Sequence, residues 1–230
     1  MYKLVNPADW YPNEPVTSLV KAGRRLGPND KRAFLKMGAS EELAEFLRRN
    51  PPGDGYIPVH ILSTGSTEKY GANRNGDAFS RHWSVKNHHT YVKHAHYYRN
   101  HVAGETAPRY GLVKASAYNY PMDRTELLAY LFGDHKTASN HGPLAKVADW
   151  EQKKLATDGH FPTSMGCKVD YDICDLCNNK AKTRAEYCGA ECPGGGCADN
   201  LGKIAMVNGD LRRNFVDNYN PIWKDISGVQ

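Results

Sequence analysis

The first 166 residues contain no cysteine, and all six cysteines fall between Cys167 and Cys197. A disulfide framework spreads its bridges across a fold, so this distribution excludes a stapled secreted scaffold and points to metal instead. Long apolar runs are also missing. The longest, residues 127–132, is about a third of what a bilayer-spanning helix needs, and the opening MYKLVNPADWYPNEP has no apolar signal core. A soluble, cytosolic protein with no membrane partner is expected. Charge of one sign is scarce too. Thirty Lys and Arg against 25 Asp and Glu leave a formal +5, far below the charge of a dedicated nucleic-acid binder of this size. Repeats are absent, and low complexity is confined to Gly194-Gly195-Gly196. What remains is a chain of 230 residues with 40% apolar and 24% charged residues, 14 Tyr, 6 Phe and 4 Trp. Such a chain can bury one sizeable core with an excursion, or two small ones.

Residues 1–28 combine Pro7, Pro12, Pro15 and Pro28 with a basic stretch at Lys21, Arg24 and Arg25, without a sustained apolar period; they read as an extended arm. Ser40 followed by Glu41 and Glu42 supplies an N-cap and favourable charge for a helix whose Leu43, Phe46 and Leu47 share a face, and Asn50-Pro51-Pro52-Gly53 stops it. Residues 56–63 (YIPVHILS) are a strand candidate, with Pro58 suited to an edge or a strand start. Residues 63–79, dense in Gly, Asn and Ser, read as a long surface loop too polar for the core. Within it, residues 73–77 form either an Asn-stabilised turn or a contact for a substrate strand. Residues 88–101 (HHTYVKHAHYYRNH) carry five histidines and are expected to be helical, with His94 and His96 packing beside Tyr97 and Tyr98. Residues 110–119 and 125–132 read as a hairpin about a Pro-Met-Asp turn. Residues 143–156 are expected to be a helix burying Leu144, Val147, Ala148 and Leu155. A strand over 163–173 then leads into the cysteines, and residues 215–229 end the chain in a β-like stretch.

The cysteine spacing is Cys174-x2-Cys177-x10-Cys188-x3-Cys192-x4-Cys197. The first pair is a knuckle from which two thiolates reach one tetrahedral Zn²⁺ at about 2.3 Å. Cys188 supplies a third ligand, and Cys192 or Cys197 the fourth, with Cys192 preferred. Four sulfurs close the coordination sphere, so the metal is expected to be structural, pinning a polar loop with too few apolar residues to fold alone.

Spacing by itself selects no nucleophile among the many Ser, His and Asp residues. The stretches RNHVAGETAPRYGLVKASAYN, ELLAYLF, TSMGCKV and KDISGV, in that order, resemble the tailed-bacteriophage prohead proteases, a family related in fold to the herpesvirus assemblins. There a His precedes a Gly-(hydrophobic)-Val strand, and a Ser-(Ile/Met)-Gly-(Phe/Cys) strand and an acidic-(Val/Ile)-Ser-x-Val strand follow. The loop YGANRNGDAF, the segment at 88–101 and the cysteine knuckle are similar to a large-phage subset of that family. The resemblance covers roughly residues 56–230. It implies an α+β fold, a small and mainly antiparallel β-barrel flanked by helices, with a zinc knuckle inserted at about 170–200 of a domain spanning 51–230, residues 1–50 being arm and helix. It implies Ser164 as nucleophile, His101 as general base and Asp225 as the acidic member, with Glu126 or another histidine as alternatives for that last role. Amides near Met165 and Gly166 would face the oxyanion. The activity implied is endoproteolysis of scaffold and major capsid proteins, and of the chain itself, inside a phage prohead in the host cytoplasm, with self-association. Family members continue past the acidic strand with a Pro-Ala-(Asn/Asp) segment that this sequence lacks, so a truncated or self-processed form is expected. Two rivals stand beside this reading: an inactive head-assembly protein of the same fold, and a zinc-knuckle adaptor that binds nucleic acid, with the basic arm and Lys180, Lys182 and Arg184 as its phosphate contacts.

Overall fold

The computed structural model describes residues 2–5, 35 and 38–229, so nearly all of the expected N-terminal arm lies outside the described residues. The helices are few and short: α1 (Glu41–Arg49), α2 (Thr67–Tyr70), α3 (Arg81–Asn87), α4 (Thr90–His94), α5 (His135–Ser139), α6 (Asp149–Thr157) and α7 (Cys197–Asn200). Helix α1 forms where its N-cap signal lies: Ser40 is extended and its hydroxyl accepts the Leu43 N–H at 3.2 Å.

Seven strands make the main sheet: β1 (Tyr2–Val5), β2 (Tyr56–Gly65), β4 (His96–Arg99), β5 (Gly111–Asn119), β6 (Arg124–Phe132), β7 (Thr163–Lys168) and β13 (Ile222–Gly228). Their order is β1-β7-β13-β4-β5-β6-β2, antiparallel throughout except for the parallel pair β13 and β4. The expected small, mainly antiparallel β-barrel is met in part. Among the described residues β1 and β2 are unjoined edges, so the sheet is a curled half-barrel in a mixed α+β fold.

Strand β6 explains why residues 127–132 read as an unbroken apolar run. Leu127, Ala129 and Leu131 enter the main core with Val59, Ile61, Met165 and Ile226, while Leu128 and Tyr130 pack on Leu43, Ala44 and Leu47 of α1. Both faces are covered, so alternation in direction leaves no alternation in polarity. The main core closes around Trp223, stacked on Tyr91 with ring centroids 4.8 Å apart. Its backbone N–H bonds to Thr90 Oγ1 at 3.0 Å, fixing α4 to β13.

Glu126, one of the alternatives for an acidic catalytic member, is buried under α1 instead. It takes hydrogen bonds from His60 Nε2 at 3.0 Å, Asn119 Nδ2 at 3.1 Å and the Ser40 N–H at 3.0 Å, and also from the Ser40 hydroxyl. Burial pushes its carboxyl up, but these donors outweigh burial and hold it below the ordinary glutamate value. It is a tie between α1 and the sheet.

Three elements differ from the sequence reading. Residues 88–101 are helical only over α4; at Ala95 the backbone turns extended (φ −90°, ψ 144°) and β4 begins. Tyr97 then points into the core while His96 and Tyr98 face the other way, as a strand requires and a helix forbids. The helix expected from residue 143 starts at Asp149, because residues 145–148 are held as chain alongside the sheet by Lys146 N–H to Arg109 O (2.8 Å) and Ala148 N–H to Phe132 O (2.8 Å). Leu144 is thereby left 38% exposed, against expectation. The supposed surface loop at 63–79 is largely interior: Ser63, Ser66, Asn73, Asp77 and Phe79 are buried. Its polarity is met locally, Ser66 Oγ donating to Asp123 Oδ2 at 2.6 Å and Asn73 Oδ1 accepting the Asp77 N–H at 2.9 Å. That second bond is the Asn-stabilised turn.

A second sheet orders β3 (Asp77–Ala78), β12 (Val216–Tyr219), β8 (Tyr171–Cys174) and β9 (Lys180–Ala181), and a separate hairpin joins β10 (Ile204–Val207) to β11 (Asp210–Arg213). Strand β8 follows directly on β7, and β12 leads directly into β13, so the two sheets share a pair of antiparallel arms. Asp217 sits on β12, where burial pushes its carboxyl from 3.8 up to about 6. The folded state therefore holds a proton more firmly than the unfolded chain, and stability falls as pH rises from about 4 through about 6. Asp217→Asn is expected to add about 1–2 kcal/mol at pH 8, less than a fully buried carboxylate would cost because the side chain keeps some solvent contact. Thermal unfolding should show a gain of about 2–6 °C at pH 8 and none at pH 4.

Candidate functional site

Two constellations lie on the shared arms. The first is on the central strands of the main sheet. Strand β4 ends at Arg99, and the chain then makes a tight turn in which Asn100 (φ +50°) and His101 (φ +58°) are both left-handed. The turn is held by Asn100 N–H to Gly228 O at 2.8 Å and Val102 N–H to Arg99 O at 3.1 Å. Two successive non-glycine residues in this region cost about 1–3 kcal/mol each, a strain that persists where a side chain must be aimed. Arg99 anchors the turn from the other side, donating to buried Glu151 at 2.6 and 3.2 Å. Gly228 leaves room for its neighbours: a Cβ there would sit 2.5 Å from the Tyr97 hydroxyl and 2.9 Å from Glu151 Oε1, so those side chains would have to shift.

The result is a bond between residues 124 apart in sequence: His101 Nδ1 lies 2.8 Å from Asp225 Oδ2. Asp225 is fully buried on β13, and its other oxygen accepts the Ser227 hydroxyl at 2.8 Å. A carboxylate oxygen only accepts, so a neutral imidazole making this bond carries its proton on Nδ1 and keeps the lone pair of Nε2.

Ser164 is on β7, 2% exposed, directly opposite Ser227 of β13. Directly opposed residues of an antiparallel pair project from the same face with Cβ atoms about 4.5–5.5 Å apart. The register therefore puts Ser164, Ser227 and Asp225 on one face of the sheet, with His96 and Tyr98 of β4 beside them. Met165, Cys167 and Ile226 point the opposite way into the main core. Of the three residues named from the sequence, His101 bonds to Asp225, and Ser164 lies on β7, the strand that adjoins the one carrying Asp225. Ser227 was missed, though the strand period of two in KDISGV places it on the face of Asp225. The amides of Met165 and Gly166 are not open to an oxyanion: these residues pair with Ile226 and Asp225 on one side and with Val5 and Leu4 on the other.

The second constellation is the cysteine knuckle at the tip of the arms. The Sγ atoms of Cys174, Cys177, Cys188 and Cys192 all lie within 4.8 Å of one another, close enough together to hold one metal ion. Cys174 and Cys192 Sγ are 3.8 Å apart, far beyond a disulfide, and two thiolates at about 2.3 Å from a common tetrahedral ion are separated by about 3.8 Å. Cys197 stands outside this group. Its thiol donates to Asn214 Oδ1 at 3.1 Å, and its backbone N–H donates to Cys188 Sγ at 3.2 Å. Burial pushes the Cys174 thiol up, but the N–H groups of Cys177 and Leu176 outweigh it and bring it down to about 7. Burial and the neighbouring sulfurs push Cys192 upward. Such a cluster accommodates four thiolates only around a cation. An ion held by all four sulfurs would have no position left for water or substrate.

No helix among the described residues is long and apolar enough to cross a membrane. Comparison with protein-family models, curated proteins and solved structures finds no match.

Proposed function

We propose that the chain is a serine endopeptidase of the prohead-protease kind, acting on scaffold and major capsid proteins and on itself during phage head maturation. The observation that carries this reading is the His101 to Asp225 bond, placed beside the strand position of Ser164. In this mechanism His101 Nε2 takes the Ser164 hydroxyl proton as the oxygen attacks a peptide carbonyl, then returns it to the leaving amine. Asp225 fixes the tautomer and stabilises the imidazolium, and the Ser227 hydroxyl holds the carboxylate in place. The knuckle binds Zn²⁺ as a structural ion through Cys174, Cys177, Cys188 and Cys192. Its role is geometric: it closes the excursion between β7, which carries Ser164, and β13, which carries Asp225.

A fluorophosphonate probe tests the site without knowledge of the substrate. Mass spectrometry is expected to find one adduct, on Ser164, and labelling at least about 100-fold slower in His101→Ala, since an unassisted hydroxyl is a poor nucleophile. An adduct spread over surface serines, or unchanged labelling in His101→Ala, removes the peptidase and leaves a binding module of the same fold.

A further inference from the structure

The edge of β7 is covered by the chain's own beginning. Tyr2 pairs with Lys168, Lys3 with Cys167, Leu4 with Gly166 and Val5 with Met165, so β1 runs antiparallel toward Ser164 and its pairing stops one residue short of it. An endopeptidase must take its substrate as extended chain, and the general way for a sheet to hold extended chain is to add it as a strand at an exposed edge. β7 has two sides, and β13 takes one of them. The remaining side is therefore where a substrate could pair along the strand that carries Ser164, with its next peptide bond carried toward that residue. Backbone N–H groups of successive residues on an antiparallel strand point to opposite sides, so of the adjacent amides of Met165 and Gly166 one faces β13 and the other faces β1. The outward amide is open only when β1 is gone.

We infer that Tyr2–Val5 is an autoinhibitory strand, seated in the peptide-binding edge of β7 in the direction a substrate takes, which an incoming polypeptide segment has to displace. This deepens the peptidase reading and rests on it. Four residues of edge pairing are a short ladder, suited to exchange, and a strand of the same chain competes with an added peptide without diffusing away.

The experiment is done in the full-length Ser164→Ala chain, so that no cleavage intervenes. The probe is a synthetic fluorescent decapeptide, MYKLVNPADW, and binding is followed by anisotropy. Lys3→Pro with Leu4→Pro removes two adjacent N–H groups, one of which must face β7. This double variant is expected to bind the peptide about 10-fold or more tighter than the parent, as release of a tethered competitor requires. Hydrogen exchange should show alternate β7 amides losing protection in the variant and regaining it with peptide, while β6 amides stay protected. Lys3→Gly with Leu4→Gly weakens the strand without proline and should act in the same direction. Equal affinity in parent and variants, or no binding to any of them, overturns the inference. The readout uses no catalysis, so specific labelling of Ser164 with unchanged peptide affinity leaves the peptidase standing and rejects the strand's role alone. Peptide binding without Ser164 labelling does the reverse.

Discussion

Ser164→Ala is expected to lower peptidase turnover by at least about 10⁴-fold, and Asp225→Asn by about 10³–10⁴-fold, in assays of scaffold cleavage and self-cleavage. The first removes the attacking oxygen. The second leaves the shape of the site nearly intact and is the more informative. Asp225 is fully buried, with one oxygen on His101 Nδ1 and the other on Ser227. An asparagine that keeps the Ser227 hydroxyl as donor to its oxygen turns its amide N–H toward His101, so Nδ1 has to become the acceptor. The proton then sits on Nε2, where the base is needed. Binding of substrate should change little, and the loss should fall on kcat. A chain that is only an assembly module would show neither loss.

Removing the metal is the second large effect. The buried cluster at the knuckle consists of Cys174, Cys188, Cys192 and Cys197 with Ala181, Tyr187 and Val216, against which only Leu176 and Leu201 pack, so it has little apolar content once the ligand sulfurs lose their cation. Cys174→Ser, or chelation below pH 6 where protons compete for the thiolates, is expected to release one equivalent of Zn²⁺ and to open residues 175–213 to limited proteolysis. A structural zinc in an isolated knuckle is worth about 10–16 kcal/mol, but the arms here are also tied by β8 and β12, so the expected loss is smaller, about 3–5 kcal/mol or about 6–15 °C in Tm. The main sheet should persist, because its core shares no residue with the knuckle cluster. Catalysis should fall with loss of the knuckle, through small shifts of β13 against β7 within a sheet that stays folded. Metal analysis that finds no zinc, with unchanged proteolysis of the Cys174→Ser chain, would remove the structural metal from this account.

Legibility followed the range of the forces involved. Helix α1 could be read because its cap, its first-turn acids and its apolar spacing all lie within ten residues, and Ser40 does cap it. The hairpin of β5 and β6 could be read because turn and strands are contiguous. The apolar spacing of residues 88–101 fits a helix over one turn, while the change to strand at Ala95 is imposed by β13 and β5 on either side of β4. The polar composition of residues 63–79 predicts exposure, whereas Ser66 and Asn73 satisfy their hydrogen bonds inside the fold. For the candidate site, Ser164, His101 and Asp225 rest on the family resemblance, whereas the strand period alone places Ser227 on the face of Asp225.

By itself the sequence determined the strand-forming runs of β2, β5, β6 and β7, the start of α1 and a Cys-x2-Cys knuckle able to share a metal, since these depend on neighbours a few residues apart. Only the tertiary structure decided that His101 meets Asp225, that Cys192 rather than Cys197 joins the other three sulfurs, that Glu126 serves α1, and that the sheet stays open with β1 on the edge of β7. Each of those outcomes pairs segments separated by many turns of chain. Their energy comes from sheet register and shared burial, which no local window contains.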